Sequence, residues 1–447
     1  MNELQEMVTK KSCLIEIFGL GYVGFPLTIR LSSAGFNVKG IDINSERVQR
    51  LLKNELLDSE EVLKKQFLKC REKGLILSTV TEKNDLPKIG IICVPTPIPG
   101  PNVNSDIFVK QAVESFLQNS KKGDCIILES SIEVGTTENI QKIIESKDFK
   151  IGENFGLAFC PERIDPANKE WGIENIPRVI YVSDDITYEI CKEIYKNVNG
   201  GNLVRVDSPK IAEVVKSFEN AFRLVNISLV NELAILCDHL KINVKSVIDA
   251  AATKPFGFMP HYPGAGAGGH CIPKDPRFLL ESAKKFESGF GTIENALSIN
   301  GKMPKYIAEI IKDEIEAIGI KKSVLVCGLS YKANVEDMRD SASFKIINEL
   351  NSNGFEVFGY DPFFKEEAIK KYLIENNLKE INFNLIQELN GEILDKIGCM
   401  CIVQHHEISK QKIEEIYLNS RIPMIYDCQN KIKKQSLSKT ILNSLGS

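Results

Sequence analysis

The sequence has no excess of either charge, and this excludes one class of partner. Across 447 residues, 56 Lys and Arg are balanced by 60 Asp and Glu, which leaves a formal net charge of −4. A nucleic-acid-binding surface needs a concentration of cations that this balance does not offer. We therefore expect no polyanionic partner such as DNA or RNA.

A CxxC framework, and a pattern of histidines that would complete a zinc site, are also missing. The 12 cysteines lie singly, the closest pair being Cys399 and Cys401, and the chain has 5 histidines. Without a CxxC spacing or a histidine pattern beside it, no zinc site is completed. We expect reduced thiols and no bound metal.

Long apolar runs are absent as well. No run approaches the ~20 residues that a membrane span needs, and residues 1–11 lack the apolar segment of a signal peptide. The sequence therefore predicts a cytoplasmic protein without membrane contact. Its 43% hydrophobic and 26% charged residues are typical of globular proteins. A chain of this length suggests roughly three domains.

A glycine-rich turn lies between a predicted strand and a predicted helix near the start of the chain. The apolar stretch 13–18 runs into GLGYVG at residues 19–24, and a helical pattern follows. Gly19 suits the tight turn, Gly21 the approach of a pyrophosphate, and Gly24 the packing of the helix on the strand. The next predicted strand ends at Asp42, where a carboxylate receives ribose hydroxyls. The sequence predicts a Rossmann domain that binds a dinucleotide.

Polar residues follow further predicted strands, at the edge where ligands of parallel sheets bind. The stiff loop 95–101 follows strand 89–94, Ser130 and Ser131 follow strand 125–128, and Glu162 follows strand 156–160. Each has a plainer alternative: a rigid surface turn, ordinary turn residues, and a surface acid in place of a general base. Residues 135–138 are predicted to start a helix by capping.

A long helical pattern, from about residue 210 to residue 239, is predicted to bridge domains. Lys216 and Asn220 lie four residues apart on it, so they share one face and could hold a developing oxyanion. The alternative is a solvated surface pair. The buried face of this helix is interrupted by polar residues that could pack against a second subunit.

The loop 263–276 is the predicted place of the chemistry. Four glycines in six positions leave the backbone accessible, and Cys271 follows, with Lys274 and Asp275 three and four residues later. Such neighbours can lower the pKa of a thiol and assist proton transfer. The alternative is a flexible loop followed by an inert buried cysteine.

The last third of the chain repeats the strand, glycine turn and acid of the first. Strand 323–329 and strand 355–361 are predicted, but the GxGxxG pattern is missing. We expect this domain not to bind a dinucleotide but to present Lys332 and Arg339 to phosphates. The alternative for each cation is a local salt bridge with Glu336, Asp337 or Asp340.

Seven motifs occur in order between about residues 13 and 361: GLGYVG, VPTP, SSIEVG, CPERIDP, KSFENAF, GAGAGGHCIPKDP and GLSYKANVEDMRDS. In these the chain resembles the nucleotide-sugar 6-dehydrogenases, which act on UDP-glucose, UDP-N-acetylglucosamine or UDP-N-acetylmannosamine. The resemblance implies an α/β fold with two Rossmann-like doubly wound domains joined by a long central helix and a helical domain. The implied divisions are 1–207 for NAD, 208–302 for the central domain and 303–447 for the UDP-sugar. It also implies a homodimer through the central helix.

The resemblance further implies an NAD-dependent four-electron oxidation of the sugar C6 alcohol to a carboxylate, a reaction of polysaccharide biosynthesis. Cys271 would be the nucleophile of a thiohemiacetal and a thioester, and Asp275 would manage protons. The other implied catalytic residues are Lys216 and Asn220 for the oxyanion, Glu162 as acid or base, and Ser131, which stands where many members have a threonine that holds a water. The implied NAD contacts are Gly19, Gly21, Tyr22, Val23, Gly24, Asp42, Pro95, Thr96 and Ser131. The implied substrate contacts are Glu162, Arg163, Lys216, Asn220, Phe256, Gly268, Lys332 and Arg339.

Some positions depart from the UDP-glucose enzymes. Glu129 stands where they commonly have lysine, and Pro166 where they often have a second glutamate. Residues 256–263 and the ERIDP motif look more like the N-acetylhexosamine branch, so the predicted substrate is UDP-N-acetylglucosamine, with UDP-glucose or UDP-N-acetylmannosamine as alternatives.

Two further functions compete with this one. A β-hydroxyacid-type dehydrogenase that transfers a single hydride has no use for Cys271. A silent NAD-sensing protein would have lost Cys271, Lys216 or Asp275, and all three are present.

Overall fold

A computed structural model describes the whole chain except residues 56–60, 82, 84, 100–102, 166–167, 169 and 436–437. Pro166 and the end of the proline loop at Gly100 and Pro101 lie outside the described residues. The chain forms two compact units: Met1–Glu219 with Arg277–Gly289, and Asn220–Pro276 with Phe290–Ser447. The three-domain division stays a prediction.

The strands of the first unit form one sheet. They are β1 Leu14–Phe18, β2 Asn37–Ile41, β3 Ile76–Ser78, β4 Lys88–Ile92, β5 Cys125–Leu128, β6 Gly156–Phe159, β7 Arg178–Val182 and β8 Leu203–Arg205. Their order in space is β3-β2-β1-β4-β5-β6-β7-β8. Every neighbouring pair is parallel except β6 and β7. The first six strands therefore have the 3-2-1-4-5-6 order of dinucleotide-binding folds.

Helices cover this sheet. Those that lie wholly in the first unit are α1 Asn2–Thr9, α2 Gly24–Ser33, α3 Ser45–Leu52, α4 Glu61–Glu72, α5 Ile107–Leu117, α6 Thr136–Glu145 and α7 Asp185–Asn199. Two separate apolar cores form, and the central strands are buried along their length. Burial on both faces explains why these strands read as continuous apolar runs in the sequence.

The first turn of α6 corrects one sequence expectation. The residues at its start supply no side-chain cap of their own, and Gly135 takes a left-handed conformation with φ of 94°. The carboxylate of Glu213 accepts instead from the backbone N–H of Gly135 at 2.6 Å and of Thr137 at 2.8 Å, and from the Thr137 hydroxyl at 2.7 Å. Capping therefore comes from a residue far away in the sequence.

The second unit contains the other sheet. Its strands are β9 Ser323–Cys327, β10 Glu356–Tyr360, β11 Asn384–Ile386, β12 Cys399–Ile402, β13 Met424–Asp427 and β14 Ile441–Ser444. Their order is β11-β10-β9-β12-β13-β14, all parallel. Numbered from β9, this is again 3-2-1-4-5-6, which confirms the predicted second Rossmann-like fold.

The remaining helices belong to the second unit or cross the division between units. They are α8 Pro209–Leu240, α9 Val244–Ala251, α10 Asp275–Lys284, α11 Gly291–Ile318, α12 Ala342–Ser352, α13 Glu366–Glu375, α14 Gly391–Leu394 and α15 Glu407–Leu418. The division falls within α8, after Glu219, and within α10, after Pro276. Within the second unit, the end of α8, α9 and α11 share one core with a face of the sheet.

Candidate active site

The turn after β1 has the close contacts that its glycines predict. Gly19 has φ of +92°, and a Cβ there would lie 2.7 Å from the carbonyl oxygen of Cys93. A Cβ on Gly24 would overlap the carbonyl oxygen of Gly19, whereas one on Gly21 would meet only a guanidinium nitrogen of Arg47 at 4.0 Å. No side chain caps the start of α2. The turn therefore leaves an open approach to uncapped N–H groups, which suits a pyrophosphate.

Asp42 follows β2 and is held in place by the same turn. Its Oδ2 accepts from the backbone N–H of Leu20 at 2.9 Å, and its Oδ1 accepts from that of Asn44 at 2.9 Å. The sequence interpretation missed Arg47, whose Nη1 lies 3.3 Å from Asp42 Oδ2. Its position on α3, five residues after the acid, was the signal that could have found it.

The loops after β4 and β5 are tied together. The Ser130 hydroxyl donates to the carbonyl oxygen of Val94 at 2.7 Å, which joins the two loops. Thr96 is buried, Pro95 is exposed and Ser131 is half-buried. Like the turn after β1, these loops follow the carboxyl ends of strands, so the predicted cofactor residues gather at one edge of the first sheet.

Glu162, after β6, is surrounded by donors. Its Oε1 accepts from the backbone N–H of Arg163 at 2.6 Å and of Ile164 at 2.8 Å. Its Oε2 contacts the guanidinium of the buried Arg178. Arg178 also lies 2.9 Å from the Glu129 carboxylate. The sequence interpretation missed Arg178 entirely.

Arg163 is occupied by residues of its own unit. Its Nε donates to Glu219 at 3.1 Å, its Nη2 contacts the same carboxylate, and its Nη1 donates to the carbonyl oxygen of Pro177 at 2.8 Å. This pair anchors the loop after β6 to α8, one turn from Lys216. Lys216 is half-buried and forms no ion pair with the described part of the chain.

In the second unit, two asparagines fix the glycine-rich loop that precedes Cys271. The backbone N–H of Gly264 donates to Asn231 Oδ1 at 2.9 Å. Asn300 accepts from the backbone N–H of Ala267 at 2.6 Å and donates to its carbonyl oxygen at 2.9 Å. Asn231 lies on α8 and Asn300 on α11, so two helices hold the loop.

The same loop packs against the segment after β9. The backbone N–H of Gly269 donates to the carbonyl oxygen of Arg339 at 2.9 Å. A Cβ on Gly269, where φ is +80°, would lie 2.7 Å from the Tyr331 ring, and one on Gly268 would overlap the carbonyl oxygen of Asp340. The glycine-rich loop that precedes Cys271 and the segment with Lys332 and Arg339 are therefore in direct backbone contact.

Cys271 is exposed, which sets aside the buried, inert alternative. Two predicted catalytic residues lie together: the amide of Asn220 on α8 donates to Oδ2 of Asp275, which follows Cys271 by four residues, at 2.7 Å. Lys274 Nζ lies 3.5 Å from Asp275 Oδ1, and both side chains are buried. Burial and, after it, the charges of Lys274 and Arg339 lower the pKa of His270 to about 4.

The remaining predicted substrate residues are more exposed. Arg339 forms a bidentate salt bridge with Asp337, with nitrogen-to-oxygen distances from 2.7 to 3.0 Å, which is the local alternative that its sequence allowed. Lys332 is half-buried. The Phe256 ring is exposed, with Lys254 Nζ 5.1 Å from its centre.

Comparison with known families identifies all three parts of the chain. Residues 13–199 match the NAD binding domain of the UDP-glucose/GDP-mannose dehydrogenase family, residues 210–302 its central domain, and residues 325–434 its UDP binding domain. The chain belongs to this family. It is an oxidoreductase with an NAD-binding domain, as the glycine turn and Asp42 predict.

Individual relatives agree along nearly the whole length. The UDP-N-acetyl-D-mannosamine dehydrogenase of Methanococcus aeolicus is 36% identical over 384 residues, which covers 85% of this chain and 84% of the relative. The UDP-N-acetyl-D-glucosamine 6-dehydrogenase of Pseudomonas aeruginosa is 32% identical, covering 81% and 86%. The solved structure of the UDP-N-acetyl-mannosamine dehydrogenase Cap5O from Staphylococcus aureus has a TM-score of 0.82 and 30% identity, covering 97% and 98%.

Asp42 should set the choice of cofactor. We expect NAD⁺ to be strongly preferred over NADP⁺, because the carboxylate repels a 2′-phosphate. Replacing Asp42 with Asn should lower kcat/KM for NAD⁺ by roughly 10- to 100-fold, the scale of hydrogen bonds to a charged group. It should also raise the relative use of NADP⁺, since Arg47 loses its facing carboxylate. Steady-state kinetics with both cofactors measures this, with Glu46→Gln on α3 as the control. Equal efficiency of the wild type with both cofactors would contradict the prediction.

Proposed function

We propose that the chain is an NAD-dependent 6-dehydrogenase of a UDP-N-acetylhexosamine that works through a covalent intermediate on Cys271. The observation that carries this proposal is an exposed cysteine on a loop fixed by Asn231 and Asn300. The hydrogen bond between Asn220 on α8 and Asp275, four residues after Cys271, supports it further. The proposal requires this group of residues and the cofactor residues of the first unit to serve one substrate.

The proposed reaction splits one difficult oxidation into covalent steps. Two NAD⁺ molecules, bound one after the other, would supply the hydride acceptors, one for the oxidation of the alcohol to the aldehyde and one for the oxidation of the thiohemiacetal to the thioester. Cys271 attacks the C6 aldehyde, which forms a carbon–sulfur bond and places negative charge on the former carbonyl oxygen. Lys216 and Asn220 are the proposed donors to that oxygen. After the second oxidation, water attacks the thioester carbon, the carbon–sulfur bond breaks, and the thiolate of Cys271 leaves.

Proton transfer is the proposed role of two carboxylates. Glu162 would accept the proton of the attacking water, and Asp275, in contact with Asn220 and Lys274, would manage protons on lysine or water. Ser131 is the proposed position for an ordered water. The proposed contacts to the phosphates and the sugar of the substrate are Lys332, Arg339, Phe256 and Gly268.

The identity of the sugar has two candidates. The sequence pattern at residues 256–263 favoured UDP-N-acetylglucosamine, and the relative from Pseudomonas aeruginosa carries that name. UDP-N-acetylmannosamine has the broader support, because relatives from several archaea and the Cap5O structure are named for it. The two substrates differ only in the configuration at C2, so they share the N-acetyl group that distinguishes both from UDP-glucose.

A substrate panel tests this part of the proposal. Purified protein with NAD⁺ should oxidise one of the two UDP-N-acetylhexosamines with kcat/KM at least about 10-fold above that for UDP-glucose, because a site built around an amide loses its hydrogen bonds to a hydroxyl sugar. NADH formation measured at 340 nm on each pure sugar decides the order. Faster turnover of UDP-glucose at matched concentration would contradict the assignment.

Cys271 provides the test of mechanism. The wild type should form two NADH and one carboxylate per sugar. Cys271→Ala should still bind NAD⁺ and the UDP-sugar, while acid formation falls by about 10³-fold or more, the scale of losing a nucleophile. Cys271→Ser should stall after slow oxidation, because an ester releases its acyl group to water less readily.

Cys70→Ala is the matched control for this test, because it removes a buried thiol outside the proposed site. One NADH per sugar would favour a dehydrogenase that transfers a single hydride. A Cys271→Ala enzyme that still makes acid at a near-normal rate would show that the oxidation does not proceed through Cys271.

We also propose a homodimer through α8. Seven large apolar side chains on this helix are exposed, and five of them follow one another at intervals of four or seven residues and so form one stripe: Phe218, Phe222, Leu229, Leu236 and Leu240. Helix α8 is also long and apolar enough to cross a membrane, but the core helices of soluble proteins meet the same criteria of length and composition. A second copy presenting the same stripe would cover it.

Charge on the stripe should separate the subunits. Leu229→Lys with Leu236→Lys should convert a dimer into a monomer in light scattering after size exclusion, because both ammonium groups would be buried against apolar partners. Ile374→Lys on α13, an equally exposed apolar position elsewhere, is the control. A wild type that is already monomeric would contradict the proposal.

A further inference from the structure

A buried arginine connects Glu162 to a second carboxylate. Arg178 is the first residue of β7 and is fully buried. One nitrogen of its guanidinium, Nη1, lies 2.9 Å from Glu129 Oε2, and the other, Nη2, contacts Glu162 Oε2. Arginine suits this arrangement because its planar fork can serve two carboxylates at once.

The far side of this network is anchored by Tyr195 on α7. Its hydroxyl donates to Glu129 Oε1 at 2.5 Å, and the Arg178 guanidinium lies 5.0 Å from the centre of its ring. Burial raises the pKa of Tyr195 far above its usual value, so the hydroxyl keeps its proton and stays a donor. Glu129 thus bonds to Tyr195 with one oxygen and pairs with Arg178 through the other.

The charges within this network do not balance. Arg178 supplies one positive charge against the two carboxylates, and two thiols that interact with these groups, Cys160 and Cys93, stay neutral. Burial raises the pKa of Cys160 to about 12 and that of Cys93 well above its usual value. The nearby Arg163 is paired with Glu219. Among the described residues, the two carboxylates therefore share Arg178.

Glu162 has the more favourable surroundings of the two carboxylates. Its Oε1 accepts from two backbone N–H groups, at 2.6 and 2.8 Å, in addition to the contact of Oε2 with Arg178. Donors of this kind stabilise the charged form of a carboxylate and fix its orientation. An ionised, fixed carboxylate can accept a proton but cannot donate one.

We propose that Arg178 is a positioning residue for Glu162, which it holds ionised and oriented as the proton acceptor for the hydrolytic water, and that Glu129 and Tyr195 hold Arg178 in place. This inference rests on the proposed role of Glu162. A buried ion pair is by itself weak evidence for stability. The contact of Arg178 with Glu162, the proposed proton acceptor after β6, is what points to catalysis.

The network makes the pH profile of acid formation the deciding measurement. If Glu162 must be ionised, activity falls as pH drops and Glu162 takes a proton. Glu129→Gln removes the competing negative charge, so Glu162 alone would pair with the charge of Arg178. The acidic limb of the pH profile of kcat should then move to lower pH by on the order of one unit. Arg178→Lys should move the limb in the opposite direction and lower the maximal kcat, because an ammonium group cannot serve both carboxylates.

A matched control exists in the same sheet. Glu16 and Lys88 form another fully buried ion pair, 2.8 Å apart, on β1 and β4. Glu16→Gln removes a comparable buried charge and should leave the acidic limb at its wild-type position. NAD⁺ binding and the fluorescence of Trp171, the single tryptophan, establish that each variant is folded. Because Glu129→Gln preserves size and shape, it decides the question alone if Arg178→Lys does not fold.

Glu162→Gln separates failure of this inference from failure of the proposed function. If Glu162→Gln forms acid at the wild-type rate, the proposed role of Glu162 is wrong and the inference falls with it. If Glu162→Gln abolishes acid formation while Glu129→Gln leaves the limb unmoved, as Glu16→Gln should, only the positioning role of Arg178 is overturned. Opposite shifts in Glu129→Gln and Arg178→Lys support it.

Discussion

A parallel sheet that is covered on both faces can meet a ligand only at the ends of its strands, and this constraint places the polar residues of both units. Asp42 follows β2 and Glu162 follows β6 in the first sheet, and Asp361 follows β10 in the second. Because successive strands end at the same edge, residues far apart in sequence gather there. Arg178 reaches this edge in a different way, because it lies at the start of a strand and not after its end. Strand β7 runs antiparallel to β6, so the first residue of β7 lies at the edge where β6 ends.

Both units have an aspartate directly after the second strand of the sheet, but the two aspartates contact different side chains. Asp42 accepts a hydrogen bond from the backbone N–H of Leu20 and is in contact with the guanidinium of Arg47. Asp361 Oδ2 accepts from the N–H groups of Leu329 and Ser330, at 2.7 and 3.0 Å, and lies 3.1 Å from His406 Nε2. The other ring nitrogen of His406 accepts from the N–H of Asn334 at 3.0 Å, so Nε2 carries the hydrogen. Both acids therefore accept from the turn after the first strand, and they differ in the side chain that they contact, which is an arginine in the first unit and a histidine in the second.

The features that the sequence predicts are those formed by residues close together in the chain. Continuous apolar runs predict strands β1, β4 and β5, and the glycine turn is predicted by residues that contact one another within one motif. The features that were missed depend on distant pairs. Arg163 and Glu219 are 56 residues apart, and Glu213 caps a helix that begins 77 residues earlier. No periodicity signals such pairs, because each partner alone looks like an ordinary surface charge. The short helix α1, which buries Leu4 and Val8, was missed because so few apolar residues carry it.

Exposure, and not an activating histidine, distinguishes the proposed nucleophile among twelve thiols. Cys271 is exposed, while burial raises the pKa of Cys13 and Cys160 to about 12 and keeps those thiols protonated. A thiolate is the reactive form, so buried cysteines cannot compete with an exposed one. The adjacent His270, with a pKa lowered to about 4, is neutral at physiological pH and supplies no positive charge. Burial is the main cause of this lowered pKa, and the charges of Lys274 and Arg339, each paired with an aspartate, add to it. The arrangement therefore differs from a cysteine–histidine ion pair, in which a charged imidazole stabilises the thiolate.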